Sequence, residues 1–266
     1  MNCNVMEMFG MAVMLTLVTA TGCDVASGTD AGNTAQRLTG IRYQIYCDIS
    51  PSTNSAQRRE WLRIVERDVL TGLTSGDQVE VYGLHDNTEN SAPIYQGCIP
   101  AIDEGAGMKE VLEYRRALKD TQTQVTAAVR SLLEGDHPRS RSTAVLGAIN
   151  RYQQLPARET NLVIFTDALE SADPVANLEG SQMNVDQVPA AVRSVATRWR
   201  WDGSRLAGSR VFFVLNSIPI GATATGATDR KTLKAFWESL ITALGGKVEN
   251  FDTHFSKPLR RAETTN

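Results

Sequence analysis

Two aspartates stand where a carboxylate can act on something outside the chain. Asp48 follows the β-branched and aromatic run 41–47, and Asp167 closes the apolar run 161–166. Ser50 and Ser52 come soon after Asp48, separated by Pro51. Carboxylates and hydroxyls are hard oxygen donors, which suit Mg²⁺ or Ca²⁺ rather than a metal that seeks thiolate or imidazole. Read alone, the stretch from Asp48 to Ser52 also makes an ordinary turn in which Ser52 caps the helix that follows. Other chemistries find fewer residues. His85, His137 and His254 are scattered and no HExxH occurs, so a multi-histidine metal site is excluded. GxSxG is absent, and no second aspartate follows Asp48 at the spacing of aspartyl phosphotransferases. The glycine-rich stretch 221–228 has Ala227 where a phosphate-binding loop needs Lys.

An alternation of strand and helix must position these residues. Strand-like runs lie at 41–47, 79–84, 93–99, 161–166, 210–215 and 247–251, the fourth apolar throughout, as suits a buried central parallel strand. Apolar residues recur at helical spacing over 52–73 (Trp61, Val65, Val69, Leu73) and 107–134 (Val111, Leu118, Val125, Leu132). Further helices are expected over 143–154, 185–199 and 231–244, the last closed by Gly245 and Gly246. The stripe along 107–134 reads as core, and the Arg198–Trp201 segment as a helix end that turns one Trp inward rather than as a base-stacking platform. The second and third strands are too close for a crossover helix, which makes the third antiparallel. The pattern predicts an α/β fold: a doubly wound, mostly parallel central sheet with helices on both faces and one antiparallel strand. Such sheets bind ligands beyond the carboxyl ends of their strands, where Asp48 and Asp167 stand.

Composition agrees. With 266 residues, 42% hydrophobic and 21% charged, the chain can bury a full core and is not disordered throughout. A net charge of −3 excludes a nucleic-acid binder driven by positive charge. Four cysteines without a CxxC pair exclude a Cys-rich zinc module and a dense disulfide framework.

The Asp48, Ser50, Ser52 pattern after the first strand resembles that of the von Willebrand factor type A family, where it forms part of a metal-ion-dependent adhesion site. The next family element, a Thr before a central helix, is matched by Thr143 in Ser142–Ile149, and the last, an aspartate ending the fourth strand, by Asp167. The resemblance covers about residues 41–252. It implies one Mg²⁺, with Mn²⁺ or Ca²⁺ able to substitute, held by Asp48, Ser50, Ser52, Thr143 and Asp167. It also implies capture of a protein ligand that presents an Asp or Glu. Two positions differ from the family pattern: Pro51 stands between the serines where Gly is usual, and Ala168 follows the aspartate where Gly is usual. Arg139, Arg141 and Glu170 could rim such a site and touch the partner, although solvated loop charges explain them as well; the same holds for Asp173. The family's strand order puts the second strand between the first and third, so Cys47 and Cys98 are expected not to form a disulfide.

The first 22 residues differ from the rest. An apolar run at 8–22 ends in small residues and is followed by Cys23, which resembles a bacterial lipoprotein signal. Ala20 replaces the usual Leu, and no Lys or Arg precedes the apolar core. A plain cleaved signal and a buried N-terminal helix are the alternatives. Residues 23–39 read as a flexible linker, 40–255 as the folded domain and 256–266 as a polar tail. The expectation is an extracytoplasmic, cation-dependent protein-binding module, not an enzyme, anchored through lipid on Cys23 in a bacterial cell envelope, or else secreted or periplasmic. A metal-dependent hydrolase and a structural subunit that binds no ion are the competing readings.

Overall fold

Side chains alternate across a strand, and here both sets are apolar, so both faces of the sheet must be covered. The computed structural model describes residues 40–51, 53–103, 105–135, 142–153, 159–174, 176, 178, 183–216, 228–256 and 259. The 1–22 leader, the 23–39 linker with Cys23, and Ser52, Arg139, Arg141 and the 221–227 loop lie outside them. The elements are β1 (Arg42–Asp48), α1 (Ser55–Ile64), β2 (Gln78–Leu84), β3 (Tyr95–Cys98), α2 (Met108–Glu134), α3 (Val145–Gln153), β4 (Thr160–Thr166), α4 (Val188–Trp199), β5 (Arg210–Leu215), α5 (Arg230–Ala243) and β6 (Lys247–Asp252). The six strands run in the order β3-β2-β1-β4-β5-β6, with β3 antiparallel to β2 and the other pairs parallel. This is the doubly wound α/β layout expected.

Tyr46, Tyr82, Ile164 and Phe213 face α3, α4 and α5, where they join Leu146, Val192 and Trp237. Ile45, Val81, Phe165 and Phe212 face the other way and join Trp61 of α1 and Val129 and Leu132 of α2. The chain leaves β1 outward to β2 and β3, then returns to β4 on the other side of β1. The crevice between the carboxyl ends of β1 and β4 is therefore the switch point at which open α/β sheets bind ligands.

Several boundaries differ from expectation for local reasons. The helix expected over 52–73 starts at Ser55, because Asn54 is its cap: its side chain accepts from Gln57 N and the Gln57 side chain accepts from Asn54 N (3.0 and 2.8 Å). From Val65 the winding loosens to a π-turn (Val65–Val69) and ends in a 3₁₀ turn (Leu70–Gly72). Along α2 the fully buried positions begin at Thr121, Tyr114 and Leu118 pack partly buried against the core, and Met108 and Leu112 are 75% and 57% exposed. At the end of α4, Arg200 takes a left-handed conformation and Trp201 turns into the core, stacked on Trp199 at 5.5 Å. The tail expected to be free from residue 256 is anchored at Leu259, which is buried and whose carbonyl accepts from Asn161 (2.9 Å) and Arg210. Cys47 is a free buried thiol, so it is not linked to Cys98. Pairing with β5 shifts register within β6, next to Val211 and Phe212. Among the described residues no helix is long and apolar enough to cross a membrane.

Candidate metal centre

Asp48 is the last residue of β1, and Asp167 follows the last residue of β4. Because β1 and β4 are neighbours in register, with Cys47 opposite Phe165, the two acids arrive side by side at the switch point. Both are buried. Asp48 Oδ1 accepts Ser50 N–H at 2.7 Å, which folds the turn after β1 back over the carboxylate. Its Oδ2 lies 3.2 Å from Thr166 Oγ1 and 3.4 Å from Thr143 Oγ1, both hydroxyls donating. Asp48, Ser50, Thr143 and Asp167 are thus gathered from three separate stretches of chain. Ser52, the remaining expected ligand, lies outside the described residues.

The carboxyl of Asp48 is pushed up to about 7, first by burial and then by the charge of Asp167, with hydrogen bonds from Ser50 and Thr166 pulling the other way. Two buried carboxylates that repel each other, ringed by hydroxyls, form a donor set that a hard divalent cation would satisfy, so these residues fit Mg²⁺ or Ca²⁺.

The loops that carry these residues are tied down by others whose role sequence reasoning missed. Arg58, at helical spacing from Trp61, Leu62 and Val65, is buried: it donates to Thr53 Oγ1 (3.0 Å), to Ser50 O (3.2 Å) and to Leu133 O (3.2 Å). It clamps the turn after β1 to the end of α2. Thr143 is held by Ser171, whose Oγ accepts Thr143 N–H at 2.8 Å while Ser171 N and Ala172 N donate to Thr143 O (3.0 and 3.3 Å).

Glu170 is not on a rim. It is fully buried, and its carboxylate accepts N–H groups from Leu146 (2.8 Å), Ala172 (2.9 Å) and Asp173 (3.0 Å). The Leu146 N–H at the start of α3 needs such an acceptor, and the two N–H groups of Glu170's own loop close that loop around the carboxylate, which turns the side chain inward. Burial pushes its carboxyl up to about 7 against those hydrogen bonds. Asp173 is likewise buried, accepting the Trp199 indole N–H (3.1 Å) and pairing with Arg198 (3.2 Å).

Ala168 explains how the chain manages without the usual glycine. Its φ is +63°, the left-handed region that glycine enters freely and that costs an L-residue roughly 1–2 kcal/mol. The loop therefore keeps a glycine-like path with alanine in it, and Leu169 N donates back to Asp167 Oδ1 at 3.0 Å. Pro51 leaves the turn after β1 closed, since Thr53 N still donates to Ser50 O at 3.4 Å.

No family model and no curated protein sequence matches the chain. Several solved structures align with it at low identity. The human COPII-coat protein Sec24c aligns with 81% of this chain at 12% identity and a TM-score of 0.47; this chain spans only 30% of that one. An aerotolerance-related membrane protein from Bacteroides fragilis aligns over 80% of this chain and 92% of its own, at 14% identity and a TM-score of 0.41. BatB from Bacteroides thetaiotaomicron aligns over 80% and 91%, at 13% identity and a TM-score of 0.40.

Proposed function

We propose that this chain is a divalent-cation-dependent protein-binding module of the adhesion or complex-assembly kind, and not an enzyme. Asp48, Ser50, Ser52, Thr143 and Asp167 would hold the ion, Mg²⁺ by preference, with Mn²⁺ or Ca²⁺ as substitutes. One observation carries the reading: Asp48 and Asp167 meet at the switch point as a buried like-charge pair surrounded by hydroxyls. When bound, a divalent ion with so few carboxylates keeps an open position for an Asp or Glu carboxylate of a partner. The chain's own part is to bring the oxygens together and keep water from the carboxylates' inner side. The contacts described for Asp48 are hydroxyls and a backbone N–H, with no imidazole to act as a general base, which favours capture over hydrolysis.

The partner side of the site would include Arg139 and Arg141, which precede Thr143 in the loop and complement an acidic surface. The leader and linker support placement outside the cytoplasm in a bacterial envelope, with Cys23 as the lipid attachment point; simple secretion is the alternative.

The test is a Mg²⁺ titration followed by thermal shift and by binding of an acidic-peptide panel. Wild type should be stabilised by Mg²⁺ and should lose peptide binding on chelation. Asp167→Ala should abolish both responses while remaining folded, and Thr143→Ala should weaken peptide capture more than ion binding. Unchanged peptide affinity in Asp48→Ala and Asp167→Ala would sink the mechanism, and a wild type indifferent to Mg²⁺ would favour a structural subunit that binds no ion.

A further inference from the structure

Ala168 is held from both sides. Its N–H donates to Thr166 Oγ1 at 3.1 Å, and its carbonyl accepts the Trp237 indole N–H at 3.0 Å. Trp237 lies fully buried on α5, with ring centres 5.3 Å from Phe213 and 5.0 Å from Phe236. Those rings fix the direction in which its single N–H points. The Thr166 hydroxyl that accepts from Ala168 passes its own proton toward Asp48 Oδ2 at 3.2 Å. A hydrogen-bonded chain therefore runs from a helix on one face of the sheet, through one left-handed peptide, to the carboxylate at the end of β1.

We propose that Trp237 and Thr166 are positioning residues for the carboxylate pair: together they clamp Ala168 in its left-handed conformation, which sets Asp167 beside it and orients Asp48 through Thr166. A glycine at this position would take the conformation unaided, whereas an alanine relaxes out of it unless something holds the peptide. Alanine at 168 and an indole donor at 237 thus form one device. Its meaning for ion binding rests on the reading of Asp48 and Asp167 as ligands; the clamp itself rests on the hydrogen bonds alone.

Trp237→Phe keeps an aromatic ring, smaller than the indole, and removes the donor. In the full chain without divalent ion, amide exchange should quicken by about tenfold at Leu169 and Ser50, whose N–H groups are held by Asp167 and Asp48. Adding Ala168→Gly should restore most of that protection, which a general loosening of the core would not allow. In Mg²⁺ titration, Trp237→Phe should bind about tenfold more weakly and the double variant should recover. Thr166→Val removes the clamp from its other side without touching the rings around α5, should act in the same direction, and serves if Trp237→Phe does not fold. Exchange at the wild-type rate in the folded variants, or a rise that Ala168→Gly fails to reverse, overturns the clamp. A wild type that ignores Mg²⁺ while exchange still responds as expected overturns the ion reading and leaves the clamp standing.

Discussion

Buried charge is handled differently at the two ends of the sheet. Near the amino ends of the strands, acids are met from within the chain. Asp77 accepts Ile41 N–H and Thr74 N–H at 2.8 and 2.7 Å. Glu80 is paired with Arg42 and takes further hydrogen bonds from Gln44 (2.9 Å) and Tyr82 (2.8 Å). Glu249 is approached by Arg210 at 3.5 Å and Lys247 at 3.0 Å. At the carboxyl ends, by contrast, the charged neighbour that most affects Asp48 is another acid, Asp167. The like-charge pair at the carboxyl end is the feature that the proposed ion reading rests on.

The largest effect should come from breaking the self-sufficient end. Glu80→Ala would leave the mostly buried Arg42 without its carboxylate, a loss of roughly 3–5 kcal/mol in urea denaturation, with Mg²⁺ affinity unchanged in whatever fraction remains folded. At the opposite end the sign should reverse. Asp48→Asn removes one member of the repelling pair, so the ion-free protein should gain roughly 1–2 kcal/mol at pH 8, an order of magnitude taken from about 1.4 kcal/mol per pK unit, while losing its Mg²⁺ response. An Asp48→Asn protein less stable than wild type without ion would erase the contrast between the ends.

The same contrast predicts a pH dependence. Asp48 and Glu170 both titrate higher in the fold than carboxylates ordinarily do, near 7, so the folded chain holds their protons more tightly than the unfolded chain. Their contribution is fully present below about pH 4 and lost as pH rises through about 7. The contribution of these two groups to ion-free stability should therefore fall between about pH 4 and pH 7, by at most about 1.4 kcal/mol per pH unit for each group, and flatten above that, and Asp48→Asn should show a shallower fall. The smallest effect should come from Lys247→Ala, which removes an exposed partner from Glu249 while Arg210 stays; a change within about 0.5 kcal/mol is expected in the same denaturation assay.

Much of this layout was legible in the chain because strand and helix periods are clear. The short connection after β2 revealed the antiparallel strand, and the strand-end aspartates marked the crevice. What stayed hidden depended on register and on three-dimensional neighbours. Thr166 looked like the end of an apolar run; only the pairing of Cys47 with Phe165 brings its hydroxyl beside Asp48. Arg58 is a charge on the buried face of α1, and only its spatial neighbours, the carbonyls of Ser50 and of Leu133 at the end of α2, account for it. Glu170 looked like a loop acid beside a binding site, and the need of α3 for acceptors at its start drew it inward. Leu259 looked like part of a free tail, and Asn161 and Arg210 hold its carbonyl from the start of β4 and β5.

The sheet's borders carry a consequence for how any partner is met. One edge strand, β3, is four residues long; the other, β6, is broken by a register shift and opens with Lys247. Short, irregular and charged edges resist the docking of an extra strand, whether from a second copy of the chain or from an extended peptide. Backbone-to-backbone augmentation is thus discouraged on both flanks, which protects the domain from edge-to-edge aggregation.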